Sequence, residues 1–179
     1  MKKDVRRLTA KARRRMKKGD EMETEDVKKM NAPKKILIIN GPNLNMLGIR
    51  EPDLYGAVTH EKLVGLLADW CREAGVGHDY FQSNHEGAIV DRIQEAYFEG
   101  IDGIVMNPAA YTHTSVAILD ALKATAIPTV EIHITDVSTR EDFRRVSYVA
   151  LAAKHRIMGH GIEGYREAIG WLVDYLNKA

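Results

Sequence analysis

The sequence predicts an α/β fold in which a parallel β-sheet carries helices on both faces. One observation is the short, continuous apolar run at residues 36–39, which is typical of a strand buried on both sides. A second observation is the regular alternation, from residue 34 onward, between strand-like and helical patterns. Short buried strands separated by helices form βαβ units, so the strands are predicted to run parallel. A chain of 179 residues is long enough for one domain with a sizeable core.

Nine segments carry this pattern. Strand signals occur at residues 35–39, 78–82, 103–106, 128–132 and, more weakly, 156–158. Helical signals occur at residues 59–74, 86–99, 114–126 and 163–176. The first helix is the best defined, because Thr59 is a suitable N-cap and Gly75 is a suitable stop.

The composition is typical of a globular protein and is consistent with a reducing compartment. No apolar run approaches the ~20 residues needed to cross a bilayer, and the N-terminus lacks the apolar stretch of a signal peptide. Cys71 is the only cysteine, which excludes an intramolecular disulfide. We therefore expect a cytoplasmic protein with no membrane partner, in which Cys71 is structural.

Charge divides the chain at residue 33. Residues 1–33 carry 12 Lys or Arg against 6 Asp or Glu, whereas residues 34–179 carry 14 against 19. We predict a charged extension over 1–33, disordered or loosely helical, and a folded catalytic domain over 34–179. The extension could contact nucleic acid or an anionic surface. Its lack of an apolar stripe favours a solvated extension instead. Upstream sequence from a misplaced start and a mitochondrial presequence are the other interpretations.

Polar side chains cluster after three of the predicted strands. The first cluster is the long Asn-, Gly- and Pro-rich loop at 40–56, the second is residues 107–115, and the third runs from 131 to 145. Ligands of open α/β sheets bind beyond the carboxyl ends of the strands. The three loops are therefore predicted to converge on one pocket.

Glu131 and His133 form the first candidate pair within these loops. Two residues apart on a strand, their side chains project to the same face. A carboxylate beside an imidazole fixes its tautomer and favours its protonated form, which suits a general acid or base. A salt-bridged strand end is the alternative. A metal site that adds His113 would need a ligand spacing that the sequence does not show, so no metal or cofactor is expected.

Tyr55 and Arg50 form the second candidate pair. Tyrosine acts as a base only as phenolate, and its unperturbed pKa of ~10 must fall by ~2–3 units, or roughly 3–4 kcal/mol. One guanidinium at ~4 Å supplies about 4 kcal/mol at an effective dielectric of 20, so a single arginine nearly suffices. An ordinary loop tyrosine beside a surface arginine is the alternative.

Further polar groups suit a small polyhydroxylated carboxylic acid. Asn107 and the segment around Thr135 offer amide and hydroxyl donors, and Arg140 and Arg144 share one face if 140–145 is helical. Helix capping and solvated arginines are the alternative. Five other histidines show no comparable partners and are expected to be structural or exposed: His60, His78, His85, His155 and His160. The Gly-His-Gly-Ile-Glu-Gly run at 159–164 scans as GxGxxG, but its position favours tight packing before the last helix.

With these residues in hand, the chain resembles the type II 3-dehydroquinate dehydratases from about residue 34 to 176. Three long motifs in the same order carry the resemblance. They are Asn-Gly-Pro-Asn-Leu-Asn (40–45) with Gly-Ile-Arg-Glu-Pro (48–52) and Tyr-Gly (55–56), then Asn107 with Tyr-Thr-His-Thr-Ser (111–115), then Glu-Ile-His (131–133) with Arg-Glu-Asp-Phe-Arg (140–144). The resemblance implies a flavodoxin-like three-layer sandwich with a five-stranded parallel sheet. It also implies a trans-dehydration of 3-dehydroquinate to 3-dehydroshikimate, in aromatic biosynthesis or quinate breakdown.

The resemblance implies the catalytic roles as well. Tyr55 matches the base that removes the C2 proton, and Arg50 matches the residue that lowers its pKa and stabilises the enolate. Asn43 matches the residue that holds a water against the developing oxyanion. His133, oriented by Glu131, matches the acid that protonates the departing C1 hydroxyl.

The same resemblance implies how substrate is held. Asn107 and the backbone of Ile134 and Thr135 would bind the carboxylate, whereas His113 and Arg144 would bind the ring hydroxyls. The family assembles as a dodecamer of trimers, and Asp120 matches the residue that a neighbouring subunit contributes to the site.

The chain departs from the usual family pattern at three positions. Ala109 replaces a Gly, which is expected to shift the loop beside Asn107. Thr135 replaces a Ser and keeps its hydroxyl, so little change is expected. Asp136 replaces an Asn, which adds a negative charge near the expected carboxylate site and puts substrate affinity in question.

Two rival functions follow from the residues. A flavodoxin-like binding module without turnover is disfavoured because all the matching catalytic residues are present. A nucleic-acid partner for the basic extension is disfavoured because the domain lacks a basic groove with interleaved aromatic residues.

Overall fold

Five strands and four α-helices alternate along the part of the chain that the computed structural model describes, residues 33–49 and 58–178. The strands are β1 (Lys35–Asn40), β2 (Gly77–Gln82), β3 (Gly103–Asn107), β4 (Thr129–His133) and β5 (His155–Met158). The helices are α1 (His60–Glu73), α2 (Glu86–Glu99), α3 (Val116–Thr125) and α4 (Glu163–Leu176). Every predicted strand and helix is confirmed, with boundaries that differ by two residues at most.

The five strands form one sheet in the order β2-β1-β3-β4-β5. All four neighbouring pairs are parallel. This is the doubly wound order of flavodoxin-like folds, in which the strand order reverses beside β1. The predicted five-stranded parallel sheet is therefore confirmed.

Strand β1 shows how the sheet is sandwiched between two helical layers. Its residues Ile36 and Ile38 point into a core cluster that includes side chains of α1 and α4. The intervening Leu37 and Ile39 point into a second cluster, formed with α2 and α3. All four side chains are fully buried. An unbroken apolar run is what a strand covered on both faces requires.

The first helix begins and ends as its sequence predicts. The Thr59 hydroxyl accepts a hydrogen bond from the Lys62 amide at 3.2 Å, which satisfies one of the free N–H groups of the first turn.

Cys71 lies on the buried face of α1, where burial raises its thiol pKa to about 11. Cys71 is thus a protonated core residue, in agreement with the structural interpretation.

The GxGxxG run before the last helix serves packing. A Cβ atom placed on Gly164 would lie 2.7 Å from Cδ1 of Ile132 in β4. Helix α4 can approach the sheet this closely because that position has no side chain, so the packing interpretation of the run is confirmed.

The loops after β1 and β3 are brought together at the carboxyl edge of the sheet. Asn40 and Asn107, the last residues of the two strands, are directly paired in register. The Gly41 amide donates to the Asn107 carbonyl at 2.7 Å. A Cβ atom on Gly41 would lie only 2.4 Å from the Pro108 carbonyl oxygen, so this crossing requires glycine.

The described residues that flank the 50–57 segment lie next to each other. The His60 amide donates to the Leu47 carbonyl at 3.3 Å, and the Gly48 backbone approaches Thr59 closely. Arg50 and Tyr55 themselves lie outside the described residues, as does the extension over residues 1–32. No helix in the described part of the chain is long and apolar enough to cross a membrane.

Candidate active site

A cavity of about 140 Å³ lies beyond the carboxyl ends of β1, β3 and β4. The loops after these strands line it, as the three polar clusters predict. Its lining residues are Pro42, Asn43, Leu44, Leu47, Asn107, Ala109, Ala110, His113, His133, Ile134, Thr135, Val137, Arg140 and Arg144. The structure thus brings seven of the sequence-predicted site residues together around one cavity: Asn43, Asn107, His113, His133, Ile134, Thr135 and Arg144.

The described residues that line this cavity carry positive charge only. Its lining includes two arginines and two histidines, but neither an Asp nor a Glu. The carboxylate of Glu141 lies outside the lining and pairs with the Nε atoms of Arg144 at 2.9 Å and Arg140 at 3.6 Å. A cavity bounded in this way attracts an anion.

Glu131 and His133 form a buried ion pair at the end of β4. Glu131 Oε1 lies 2.7 Å from His133 Nε2, and the two residues are 0% and 4% exposed. Glu131 does not line the cavity, so its carboxylate acts from beneath the imidazole. The same-face geometry that a spacing of two predicts for a strand is confirmed.

The carboxylate of Glu131 is surrounded by hydroxyl donors. Thr112 donates to Oε1 at 2.6 Å, and Ser147 approaches both oxygens at 2.8 and 3.0 Å. Burial acts to raise the pKa of Glu131, but the hydrogen bond and charge of His133 and the two hydroxyl bonds hold this pKa below its usual range. Glu131 is therefore ionised at neutral pH. Its carboxylate accepts a hydrogen bond from His133, so Nε2 of that ring carries a hydrogen. The opposite nitrogen, Nδ1, is then the one that can exchange a proton with a ligand.

His113, unlike Glu131, favours its neutral form. Its Nδ1 donates to the Val146 carbonyl at 2.7 Å. Burial lowers the pKa of His113, and the nearby charges of His133 and Arg144 lower it further, against the effects of that hydrogen bond and of Glu131. A neutral ring with its proton on Nδ1 leaves Nε2 as an acceptor, which suits a hydroxyl donor.

The loop beside Asn107 shows the effect of the alanine at position 109. The Asn107 side-chain oxygen accepts a hydrogen bond from the Ala109 amide at 3.2 Å. Ala109 has a φ angle of +50°, a conformation that favours glycine. The structure therefore places an alanine at position 109 in a left-handed conformation that glycine adopts more readily.

Two expectations about the third loop change in the structure. Residues 140–145 are not one helix: short 3₁₀ turns cover Val137–Thr139 and Asp142–Arg144, with an extended residue between them. Asp136 does not line the cavity, because its carboxylate accepts hydrogen bonds from the Ser138 amide at 2.9 Å and hydroxyl at 2.6 Å. These bonds lower the pKa of Asp136. The side chain caps the first 3₁₀ turn.

Three predicted site residues lie apart from this cavity or outside the described residues. Arg50 and Tyr55 belong to the 50–57 segment, which the structure does not describe. Asp120 lies on an exposed position of α3 and does not line the cavity. In the described residues, no group of three or more His, Cys, Asp or Glu side chains is arranged to hold a metal.

Sequence reasoning missed several partners of these residues. Thr112 lies inside the Tyr-Thr-His-Thr-Ser motif at 111–115, but nothing in its spacing indicates a hydrogen bond to Glu131. Ser147 lies in a segment with no recognisable pattern. His60, which is predicted to be structural or exposed, has its Nε2 2.8 Å from the Tyr80 hydroxyl, a partner that the sequence does not indicate. Tyr165 was not identified at all; its fully buried hydroxyl contacts Asn107 at 3.0 Å.

Fold and site together define a class of protein. The chain is a flavodoxin-like α/β protein with an electropositive cavity at the carboxyl edge of its sheet, next to a buried carboxylate–imidazole pair. This arrangement is typical of an enzyme that acts on a small anionic substrate.

Comparisons with known proteins identify the family. The sequence profile of the family described as dehydroquinase class II matches residues 34–173, and the chain belongs to this family. A 3-dehydroquinate dehydratase of Caldicellulosiruptor bescii is 49% identical over 80% of this chain and 99% of its own length. The 3-dehydroquinate dehydratase 1 of Ralstonia nicotianae is 52% identical over 77% and 88%. A crystal structure of a type II dehydroquinase from Butyrivibrio crossotus is 50% identical, with a TM-score of 0.76 over 81% of this chain and 98% of that one.

Proposed function

We propose that this chain is a hydro-lyase that converts 3-dehydroquinate to 3-dehydroshikimate by trans-dehydration, without a metal or cofactor. The observation that carries the proposal is the buried Glu131–His133 pair, whose imidazole lies on the wall of an electropositive cavity. Membership of the class II dehydroquinase family supports the reaction and the substrate. The substrate is a polyhydroxylated carboxylate, which matches a cavity whose described lining contains cationic side chains and no acid.

His133 is the general acid in this proposal. Its Nε2 is committed to Glu131, so it delivers a proton from Nδ1 to the C1 hydroxyl of the substrate as the C–O bond breaks and water leaves. The ionised carboxylate of Glu131 stabilises the charged imidazolium that this step requires. Without that carboxylate, the ring would lose the hydrogen bond that fixes its orientation.

Tyr55 is the base, and Arg50 is its activating residue. The tyrosine phenolate removes the C2 proton, which gives an enolate, and the subsequent loss of the C1 hydroxyl as water gives the conjugated ketone. Support for these roles comes from the sequence motif and from the residues that flank the 50–57 segment: the carbonyl of Leu47, which lines the cavity, accepts a hydrogen bond from the His60 amide. Asn43 would hold a water against the enolate oxygen.

The substrate carboxylate binds Asn107 and the backbone of Ile134 and Thr135, and the ring hydroxyls bind His113 and Arg144. The position of all five residues around the cavity supports this arrangement. His113 suits a hydroxyl because its neutral ring offers Nε2 as an acceptor. Arg144, held at its Nε by Glu141, can still present its terminal nitrogens.

Assembly and pathway also belong to the proposal. Asp120 is exposed on α3 and away from the cavity of its own subunit, which is compatible with a contribution to a neighbouring site in a homo-oligomer such as a dodecamer of trimers. The reaction serves aromatic amino acid biosynthesis, by the shikimate pathway, or quinate breakdown in the cytoplasm.

The test is the ultraviolet absorbance of the purified oligomer mixed with 3-dehydroquinate, with and without a chelator. Dehydration creates a conjugated enone, so we expect an absorbance rise that the chelator does not change. A flat trace would refute the proposed activity, and a chelator-sensitive rise would refute the metal-free mechanism. Tyr55→Phe should lower turnover at least ~100-fold, the range for loss of a general base. Near-native turnover in that variant would refute the proposed base.

A further inference from the structure

A chain of buried hydrogen bonds runs through the sheet and ends at Asn107. It begins at His60, whose Nε2 lies 2.8 Å from the Tyr80 hydroxyl. That hydroxyl is 3.1 Å from Asn40 Nδ2, and Asn40 Oδ1 is 2.7 Å from the hydroxyl of Tyr165. The Tyr165 hydroxyl lies 3.0 Å from Asn107 Nδ2. The three central members, Asn40, Tyr165 and Asn107, are 0–3% exposed.

The direction of this chain is fixed at one end by a backbone amide. The Ala109 N–H can only donate, so the Asn107 side chain must turn its oxygen toward it. Asn107 Nδ2 then donates to Tyr165, whose hydroxyl donates to Asn40 Oδ1. Burial raises the pKa of Tyr165 far above its usual range, so this hydroxyl keeps the hydrogen that it donates.

The outer half of the chain follows the same direction. With its oxygen toward Tyr165, Asn40 donates from Nδ2 to the Tyr80 hydroxyl. Burial raises the pKa of Tyr80 to about 12, so Tyr80 also keeps its hydrogen, and its hydroxyl lies 2.8 Å from Nε2 of His60. Each member from Asn107 to Asn40 thus has a defined donor and acceptor.

We propose that Tyr165 is a positioning residue for the substrate carboxylate, because its hydroxyl, together with the Ala109 amide, holds the Asn107 side chain in place with an N–H donor toward the cavity. This inference rests on the proposed role of Asn107 in substrate binding. An amide has two N–H hydrogens, and Tyr165 occupies one of them. The second is available to an anion in the cavity that Asn107 lines. A reversed amide would present its oxygen, which repels a carboxylate.

Tyr165 acts only through Asn107 in this scheme. It is fully buried on α4 and does not line the cavity, so it cannot touch the substrate. Its effect on catalysis is therefore expected to appear in substrate binding and to depend on the presence of the Asn107 side chain.

The test is a double-mutant cycle between Tyr165→Phe and Asn107→Ala, with KM and kcat measured by enone absorbance. We expect Tyr165→Phe alone to raise KM about 10-fold and to change kcat less than about threefold, in the range of coupling between contacting residues. In the Asn107→Ala background, the same substitution should change KM by less than about twofold. Equal KM effects in the two backgrounds, or an unchanged KM in Tyr165→Phe, would overturn the inference.

Tyr175→Phe is the matched control. Tyr175 lies on the same helix, and its ring stacks on Trp171 without contact to the hydrogen-bond chain. This variant loses the same hydroxyl group and should keep the KM of the unaltered enzyme. A KM increase equal to that of Tyr165→Phe would assign the effect to general loosening of α4 and would contradict the positioning role.

A second measurement needs no altered tyrosine, and it remains available if Tyr165→Phe does not fold. In the unaltered oligomer, the side-chain amide hydrogens of Asn107, assigned by their absence in Asn107→Ala, should differ in exchange with solvent, because one of them is held by the Tyr165 hydroxyl. Equally fast exchange of both hydrogens would overturn the inference. Turnover by the unaltered enzyme tests the proposed function separately, so failure of the cycle in an active enzyme would refute only the role of Tyr165.

Discussion

The hydrogen bonding of the buried Glu131 carboxylate can be probed with Thr112→Val, which removes one hydroxyl group. Thr112 Oγ1 donates to the buried Glu131 carboxylate at 2.6 Å, and valine keeps the shape of threonine without the donor. A hydrogen bond to a charged group contributes about 1.5–3 kcal/mol, against about 1 kcal/mol for a neutral pair. We therefore expect Thr112→Val to lower the free energy of unfolding by about 2 kcal/mol at pH 7. For a domain of this size, that corresponds to roughly 4–8 °C in Tm.

The loss should also depend on pH, with a sign set by Glu131. The pKa of this carboxyl is lower in the folded protein than its ordinary value of about 4.3, so its ionised form stabilises the fold above that value. This stabilisation is lost as the pH falls through the folded pKa. Thr112→Val has less of this stabilisation to lose, because it lacks one hydrogen bond to the ionised carboxylate. The difference in free energy of unfolding between the variant and the unaltered protein should therefore be greatest at neutral pH and should narrow below about pH 4.3.

Thr129→Val is the control for this experiment. Thr129 is equally buried, but its hydroxyl donates to the uncharged carbonyl of Ile127 at 2.9 Å. We expect a loss of about 1 kcal/mol that is the same at every pH. Denaturant unfolding of both variants over a pH series gives the comparison. A loss in Thr112→Val that is no larger than in the control, or that does not change with pH, would refute the assignment of an ionised Glu131.

Three further predictions concern the backbone. Ala126→Gly should raise the free energy of unfolding by about 0.5–1 kcal/mol in denaturant titrations, because Ala126 is exposed at a φ of +54° where an L-residue is strained. Ala109→Gly should give less, since its methyl group packs against the core, and a larger gain there than at Ala126 would contradict this reasoning. Gly41→Ala should lower stability by about 1–3 kcal/mol and reduce kcat/KM, because its Cβ would overlap the Pro108 carbonyl. A native Tm in that variant would show that the two loops can separate without cost.

Most of the fold could be predicted because its determinants are local. Apolar runs such as residues 36–39 define buried strands, and Thr59 begins its helix through a bond to the amide three residues later. The carboxyl edge of the sheet could be predicted as the site for a similar reason, since polar residues follow three strands directly. The exception is the segment 140–145, where a spacing of four was equally compatible with the two short 3₁₀ turns that the structure contains.

The partners of the site residues could not be predicted, because they come from distant parts of the chain. Tyr165 and Asn40 are 125 positions apart, and Ser147 is 16 positions from Glu131. A single polar residue gives no signal of such a contact, whether it lies between predicted elements, as Ser147 does, or on the buried side of a predicted helix, as Tyr165 does. The left-handed conformation of Ala109 was equally hidden, because alanine indicates the opposite preference.

The surroundings of Glu131 connect the stability of the fold to its proposed chemistry. A buried carboxylate without partners would take up a proton and leave His133 with no charge to stabilise its imidazolium. His133 itself and the hydroxyls of Thr112 and Ser147 prevent this, since together they hold the pKa of Glu131 low despite complete burial. The same donors that make the charge tolerable therefore keep it available to the acid. A substitution that weakens them should reduce stability and turnover together, whereas a substitution at Tyr55 should reduce turnover alone.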